Sequence, residues 1–215
     1  EGNDMDGIFV CLRSQSRPAD FADQFGFNEP IRRDYQERYG RDICTQDFDV
    51  QLWRDMLGGY LTLFLTELRQ MLRERGMRLA VGCARGRVIG PPLGNATLEL
   101  ERWAREDVID ELVIDQNSSQ CPSLHHHLWP MHRGYGYVQN YVDGHNMLPL
   151  HEELTETRTA LSNGHTVDLY VSRQWSDRSE SEEASLLDHE AVSGLAFSSF
   201  RFDNVGPLAR ADWVI

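Results

Sequence analysis

Lysine does not occur in this chain. All 21 basic side chains are arginine, against 34 Asp and Glu, so the formal net charge is -13 over 215 residues. The absence of lysine removes Schiff-base chemistry on a side-chain amine. Such an acidic balance disfavours a general nucleic-acid partner or an anionic membrane, although a local arginine cluster can still hold an anion. No apolar stretch approaches the roughly 20 residues of a membrane span. The four cysteines form neither a CxxC pair nor a disulfide framework. Cys11 and Cys83 fall inside apolar runs and are expected to act as small core hydrophobes, whereas Cys44 and Cys121 fall in loops. A Gly-rich phosphate loop, a Walker sequence and a dinucleotide fingerprint are all missing, since Gly82-Cys83-Ala84-Arg85-Gly86 lacks the needed spacing. There is no GxSxG elbow either. No cofactor is expected.

What the chain does contain is a recurring unit, in which a short apolar run breaks into polar residues and a helix-like stretch follows. Ile8-Phe9-Val10-Cys11-Leu12 ends in Arg13-Ser14-Gln15. Leu112-Val113-Ile114 ends in Asp115-Gln116-Asn117, and the run from Val167 to Val171 ends in Ser172-Arg173-Gln174-Trp175. Runs apolar on both faces suit strands buried between helices in a parallel sheet. Helical periodicity appears between them. Asn28-Glu29-Pro30 opens a helix over Ile31 to Tyr39 that Gly40 closes, with Asn as cap and Pro in the first turn. Leu61, Phe64, Leu65, Leu68 and Leu72 mark a longer helix from about Leu52 to Arg75, stopped by Gly76. Met77 to Ala84 reads as a strand, Leu98 to Val108 and Leu150 to Leu161 as helices. Ser176 to Glu190 starts as a loop and continues as a helix, and Gly194 to Phe200 is the last strand.

This alternation predicts a single α/β layer system, either an α/β barrel or an open sheet. A closed eight-stranded barrel typically takes about 250 residues. With a strand already under way at Ile8, residues 1–215 are expected to be the later portion of one barrel domain, lacking its first units.

Side chains at the carboxyl ends of such strands surround the usual active-site rim. Asp115 directly follows an apolar strand, where a carboxyl can be held neutral as a proton donor or ionised as a base. A strand-end Asp can equally bond the backbone of the next loop, and both readings stay open. Asp203, beside Asn204, follows the final strand in the same way and is the candidate second carboxylate. Arg13, Arg17, Arg85, Arg173 and Arg201 fall at or just beyond strand ends, where planar guanidinium forks suit carboxylate, phosphate or sugar hydroxyls. Any one of them can instead pair with a neighbouring acid. Asn117 and Trp175 join them as candidate substrate contacts.

A long excursion follows Asn117, with His125-His126-His127, Trp129-Pro130, His132, Tyr135, Tyr137 and Tyr141. Long loops in compact domains are commonly functional. Three adjacent His in an irregular loop lack a metal site's spacing, so no metal is expected, and a polar, aromatic-bordered binding loop is the better reading. Aromatic faces there can stack on sugar rings or simply cover the core. Trp53 and Trp103, at helical positions, are assigned to packing. Asn-Glu-Pro at 28–30 resembles the acid/base tripeptide of several retaining glycosidases, but it lies too far from Leu12 for a strand end, so the capping role is preferred.

Asp6-Gly7-Ile8-Phe9-Val10-Cys11-Leu12-Arg13-Ser14, Tyr39-Gly40-Arg41-Asp42-Ile43, Trp53-Arg54 with the Leu61 to Leu72 helix, and Val192 to Phe200 together resemble the glycosyl hydrolase-like 10 family. The likeness spans most of the chain. It implies a TIM-type barrel, here its later strands, and a carbohydrate substrate, the sugar strands of bacterial peptidoglycan among them. Members of that family often carry acids at the end of the strand that begins with Asp-Gly, where this sequence has Leu12-Arg13-Ser14. The first expectation is therefore a glycoside hydrolase using Asp115 and Asp203, and the second a non-catalytic carbohydrate-binding barrel. Anion or phosphosugar chemistry on the arginine rim is the third.

Overall fold

In chain order the elements are β1 (Gly7–Cys11), α1 (Glu29–Tyr39), α2 (Val50–Arg73), β2 (Arg78–Cys83), β3 (Val88–Ile89), β4 (Ala96–Thr97), α3 (Leu100–Arg105), β5 (Glu111–Asp115), α4 (Leu150–Leu161), β6 (Asp168–Gln174), α5 (Glu180–Leu187) and β7 (Gly194–Ser198). The structure, a computed structural model, describes residues 5–12, 26–83, 86–89, 96–115, 148–174 and 180–198. Five strands form one all-parallel sheet in the order β1-β2-β5-β6-β7, and β3 and β4 make a small antiparallel pair. The fold is α/β. Neighbouring strands of the main sheet follow one another along the chain, so among the described residues the order never reverses.

Strand alternation sends Leu79, Val81 and Cys83 of β2, Leu112 and Ile114 of β5, and Leu169 and Val171 of β6 to one face. The register joins them across the sheet, Val81 opposite Leu112 and Ile114 opposite Val171. On that face they form the main core with Leu65 and Leu72 of α2, Trp103 and Ala104 of α3, Leu154 and Leu161 of α4, and Leu186 of α5. The helices of the core therefore share one side of the sheet. Burying one such aliphatic side chain stabilises the fold by roughly 1.5–3 kcal/mol, and those of β2, β5 and β6 on this face are 0–3% exposed.

A satellite core lies between β1 and β2 in the chain. Trp53, Tyr35, Ile43 and Met56 are buried there with Phe27 and Phe48 against them. The Trp53 indole N–H donates to the Gly26 carbonyl at 2.9 Å, and the Tyr35 hydroxyl to that of Asp49 at 3.1 Å. Both tryptophans assigned to packing, Trp53 and Trp103, are wholly buried.

The expectation for β1 is corrected. It is an edge strand rather than one buried between helices, with Ile8 38% and Phe9 54% exposed, and Cys11 is an exposed thiol rather than a core hydrophobe. Among the described residues it pairs only with β2, which leaves it half a sheet's cover. Cys83 is buried as expected, and burial pushes its thiol up to about 12, which leaves it protonated and unreactive at neutral pH.

Candidate functional site at the strand ends

The other face of the sheet carries three rows of residues. At the amino-terminal ends of the strands, Arg78 of β2 bonds Glu111 of β5 at 3.2 Å and Asp168 of β6 at 2.9 Å. Above this ion triad lies the row Cys11, Gly82, Val113, Tyr170 and Gly194. A side chain at Gly82 would meet the Phe9 ring at 2.4 Å, and one at Gly194 the Tyr170 ring at 3.0 Å, so two aromatic rings lie over two glycines. Burial, then the neighbouring Asp168 and Glu111 carboxylates, raise the Tyr170 phenol above its ordinary range, so it stays a hydrogen-bond donor. The third row, at the carboxyl ends, aligns Asp115 with Ser172 and Ser172 with Ala196.

Asp115 is thus the last residue of a central strand, in register with Ser172 of β6. Asp203, Arg13, Arg17, Arg85, Asn117, Trp175 and Arg201 lie outside the described residues, as do His125, His126, His127, His132 and the aromatics of the long excursion. Among the described residues no group of three His, Cys, Asp or Glu could hold a metal ion.

Arg173 is described, and alternation puts it on the opposite face from Ser172, in line with Leu169 and Val171. Its side chain is 2% exposed and passes under α5, where Nη2 donates to the Glu182 carboxylate at 2.9 Å and Nε lies 3.9 Å from Glu183. The structure therefore turns Arg173 toward α5, away from the Ser172 side of the sheet. Instead Arg173 forms the floor of a cavity of about 440 Å³ lined by Leu150, His151, Ser181, Glu182, Ser185 and Leu186. Two helix starts and a strand end build this cavity: the first turn of α4, the first turns of α5, and β6.

Sequence reasoning did not single out His151, Glu182 or Ser185. The available signal was weak: Ser181, Glu182, Ser185 and Leu186 lie three and four apart on one helical stripe. His151 Nε2 is 3.5 Å from the Ser185 hydroxyl. Its neighbour His189 accepts the Ala191 N–H at Nδ1 (3.2 Å), which leaves its proton on Nε2, 3.1 Å from the His151 carbonyl. That arrangement ties the start of α4 to the end of α5.

Asn28-Glu29-Pro30 has the capping role. Asn28 Oδ1 accepts the Ile31 N–H at 3.4 Å, Pro30 falls in the first turn, and the helix closes on Gly40 in the left-handed conformation, φ 70°. Comparison with known proteins gives no match to a family model and none to a curated sequence.

Proposed function

We propose that this chain is part of a (β/α) barrel, lacking the first units of that barrel, and that it hydrolyses glycosidic bonds. The observation that carries the reading is the face of the parallel sheet that no described helix covers, with small and aromatic residues at mid-height and Asp115 in register with Ser172 at the carboxyl ends. Consecutive strand order with the core helices on one side is the arrangement of a barrel wall, whose other face points inward. The open edge of β1 and the exposed Phe64 and Met71 of α2 give a further unit a place to pack. In this reading Asp115 acts as proton donor or base and Asp203 as the second carboxylate. Arg13, Arg17, Arg85, Asn117, Trp175 and Arg201 contact the sugar.

The experiment is reducing-end release from glycan strands by the full-length protein and by its Asp115→Asn and Asp203→Asn variants. Loss of a general acid or base lowers turnover by about 10²–10⁴-fold. Unchanged turnover in both variants rejects the pair. A second reading, a carbohydrate-binding barrel without turnover, is favoured by Leu12-Arg13-Ser14 at the end of β1, where the resembling family often carries acids. Saturable glycan binding with no new reducing ends would select it.

A further inference from the structure

We propose that the cavity over Arg173 binds the carboxylate of an acidic sugar, and that Glu182 occupies this site in the free protein as an internal competitor. The sugar part rests on the glycan reading above, whereas the carboxylate part stands on the cavity alone. Arg173 is almost wholly buried, and its two acidic neighbours differ. Glu183, 10% exposed, lies 3.9 Å from Nε, whereas the Glu182 side chain is 65% exposed and yet reaches the guanidinium at 2.9 Å.

A carboxylate so open to water gains little from its ion pair, since exposed pairs contribute about 0–1 kcal/mol. It can leave at small cost. The bond that Glu182 makes shows what the Arg173 fork accepts from the cavity side: a planar carboxylate.

Charge decides between ligand classes. A ligand carboxylate that takes the place of the Glu182 carboxylate on Arg173 adds one negative charge beside Glu180, Glu182 and Glu183 of α5, whereas a phosphate dianion adds two. The distant acids of this chain matter less, because screening extends only about 8 Å at physiological salt. The remaining lining suits a hydroxylated ring. Ser181, Ser185 and His151 offer hydrogen-bonding groups, and Leu150 and Leu186 offer apolar walls for C–H faces.

The test titrates the full chain with glucuronate, glucose and inorganic phosphate, following the backbone amide NMR signals of Ser181 to Leu186. Glucuronate is expected to bind saturably and glucose not. Glu182→Ala, at an exposed helix position, is expected to tighten glucuronate by up to about fivefold, because the site no longer has to be vacated first. Equal affinity in wild type and Glu182→Ala overturns the proposal, as does preference for phosphate or absence of glucuronate binding in both proteins. No cleavage is needed for this measurement, so a hydrolase reading that fails on turnover is told apart from a failure here.

Discussion

Arg69, from the middle of α2, donates Nη2 to Asp110 Oδ1 while the other Asp110 oxygen accepts the Leu79 N–H at 2.7 Å. One carboxylate thereby joins a helix, the start of β2 and the residue before β5. Both side chains are largely buried, 12% and 18% exposed. Removing one partner of such a pair leaves the other charge without its match, at a cost of about 3–5 kcal/mol when fully buried. For Asp110→Ala we expect a loss of about 2–4 kcal/mol, given the residual exposure and the Asp107 carboxylate that stays 3.7 Å from Arg69. The shift of the urea unfolding midpoint at constant slope measures it.

Trp103 and Thr62 offer a second test, where shape is conserved and only a hydrogen bond changes. The Trp103 indole N–H donates to the Thr62 hydroxyl at 2.7 Å, and both residues are wholly buried. Thr62→Val keeps the volume but leaves a buried donor without its acceptor, a loss of about 1–3 kcal/mol. Thermal unfolding of Thr62→Val against wild type checks it. A variant as stable as wild type would mean that the bond contributes nothing net.

Two adjacent glycines of α2 should respond oppositely to the same change. A Cβ at Gly58 would lie 2.3 Å from the Thr97 carbonyl oxygen of β4, while one at Gly59 meets nothing within 4 Å. Gly59→Ala therefore realises the ordinary helix gain of about 0.5–1 kcal/mol. Gly58→Ala forces the helix from β4 and should lose about 1–3 kcal/mol, the usual range for overpacking. Denaturant midpoints of the two variants, moving in opposite directions, are the expected result.

Acid should expose the Asp42–Arg32 pair. The Arg32 guanidinium, with Nε at 2.8 Å and Nη2 at 2.5 Å, and next the Cys44 N–H, hold the Asp42 carboxyl down at about 2. A carboxyl that binds its proton less readily in the folded protein stabilises the fold above its unfolded value of about 3.9. That contribution is expected to be intact at neutral pH and to disappear as pH falls from about 4 towards 2. Carboxyl-carbon NMR titration should find Asp42 near 2 in wild type and closer to the ordinary value in Arg32→Gln.

Much of the architecture could be read from the chain because its signals are local. The cap at Asn28, the left-handed Gly40 and the three- and four-residue spacing of Leu61, Leu65, Leu68 and Leu72 each act within a turn or two. Helix α4 runs from Leu150 to Leu161, the predicted bounds. What escaped depends on neighbours. Ile8 and Phe9 look like core residues, and only the sheet order shows that β1 lies at an edge. Strands β3 and β4, two residues each, are too short to show a period. Arg173 illustrates the site problem: its position after an apolar run predicts the rim, but which side of the sheet it takes is decided by one step of alternation, and here it turns toward α5. The Arg173 cavity draws on residues 150 to 186, a grouping that periodicity within one element cannot reveal.

The unreversed strand order also bears on how the molecule is made. In the main sheet each strand after β1 is laid against the sheet strand synthesised before it, so a segment leaving the ribosome finds one dock already formed. A stalled or shortened product would lose layers from its trailing side only, and those already assembled would keep their neighbours.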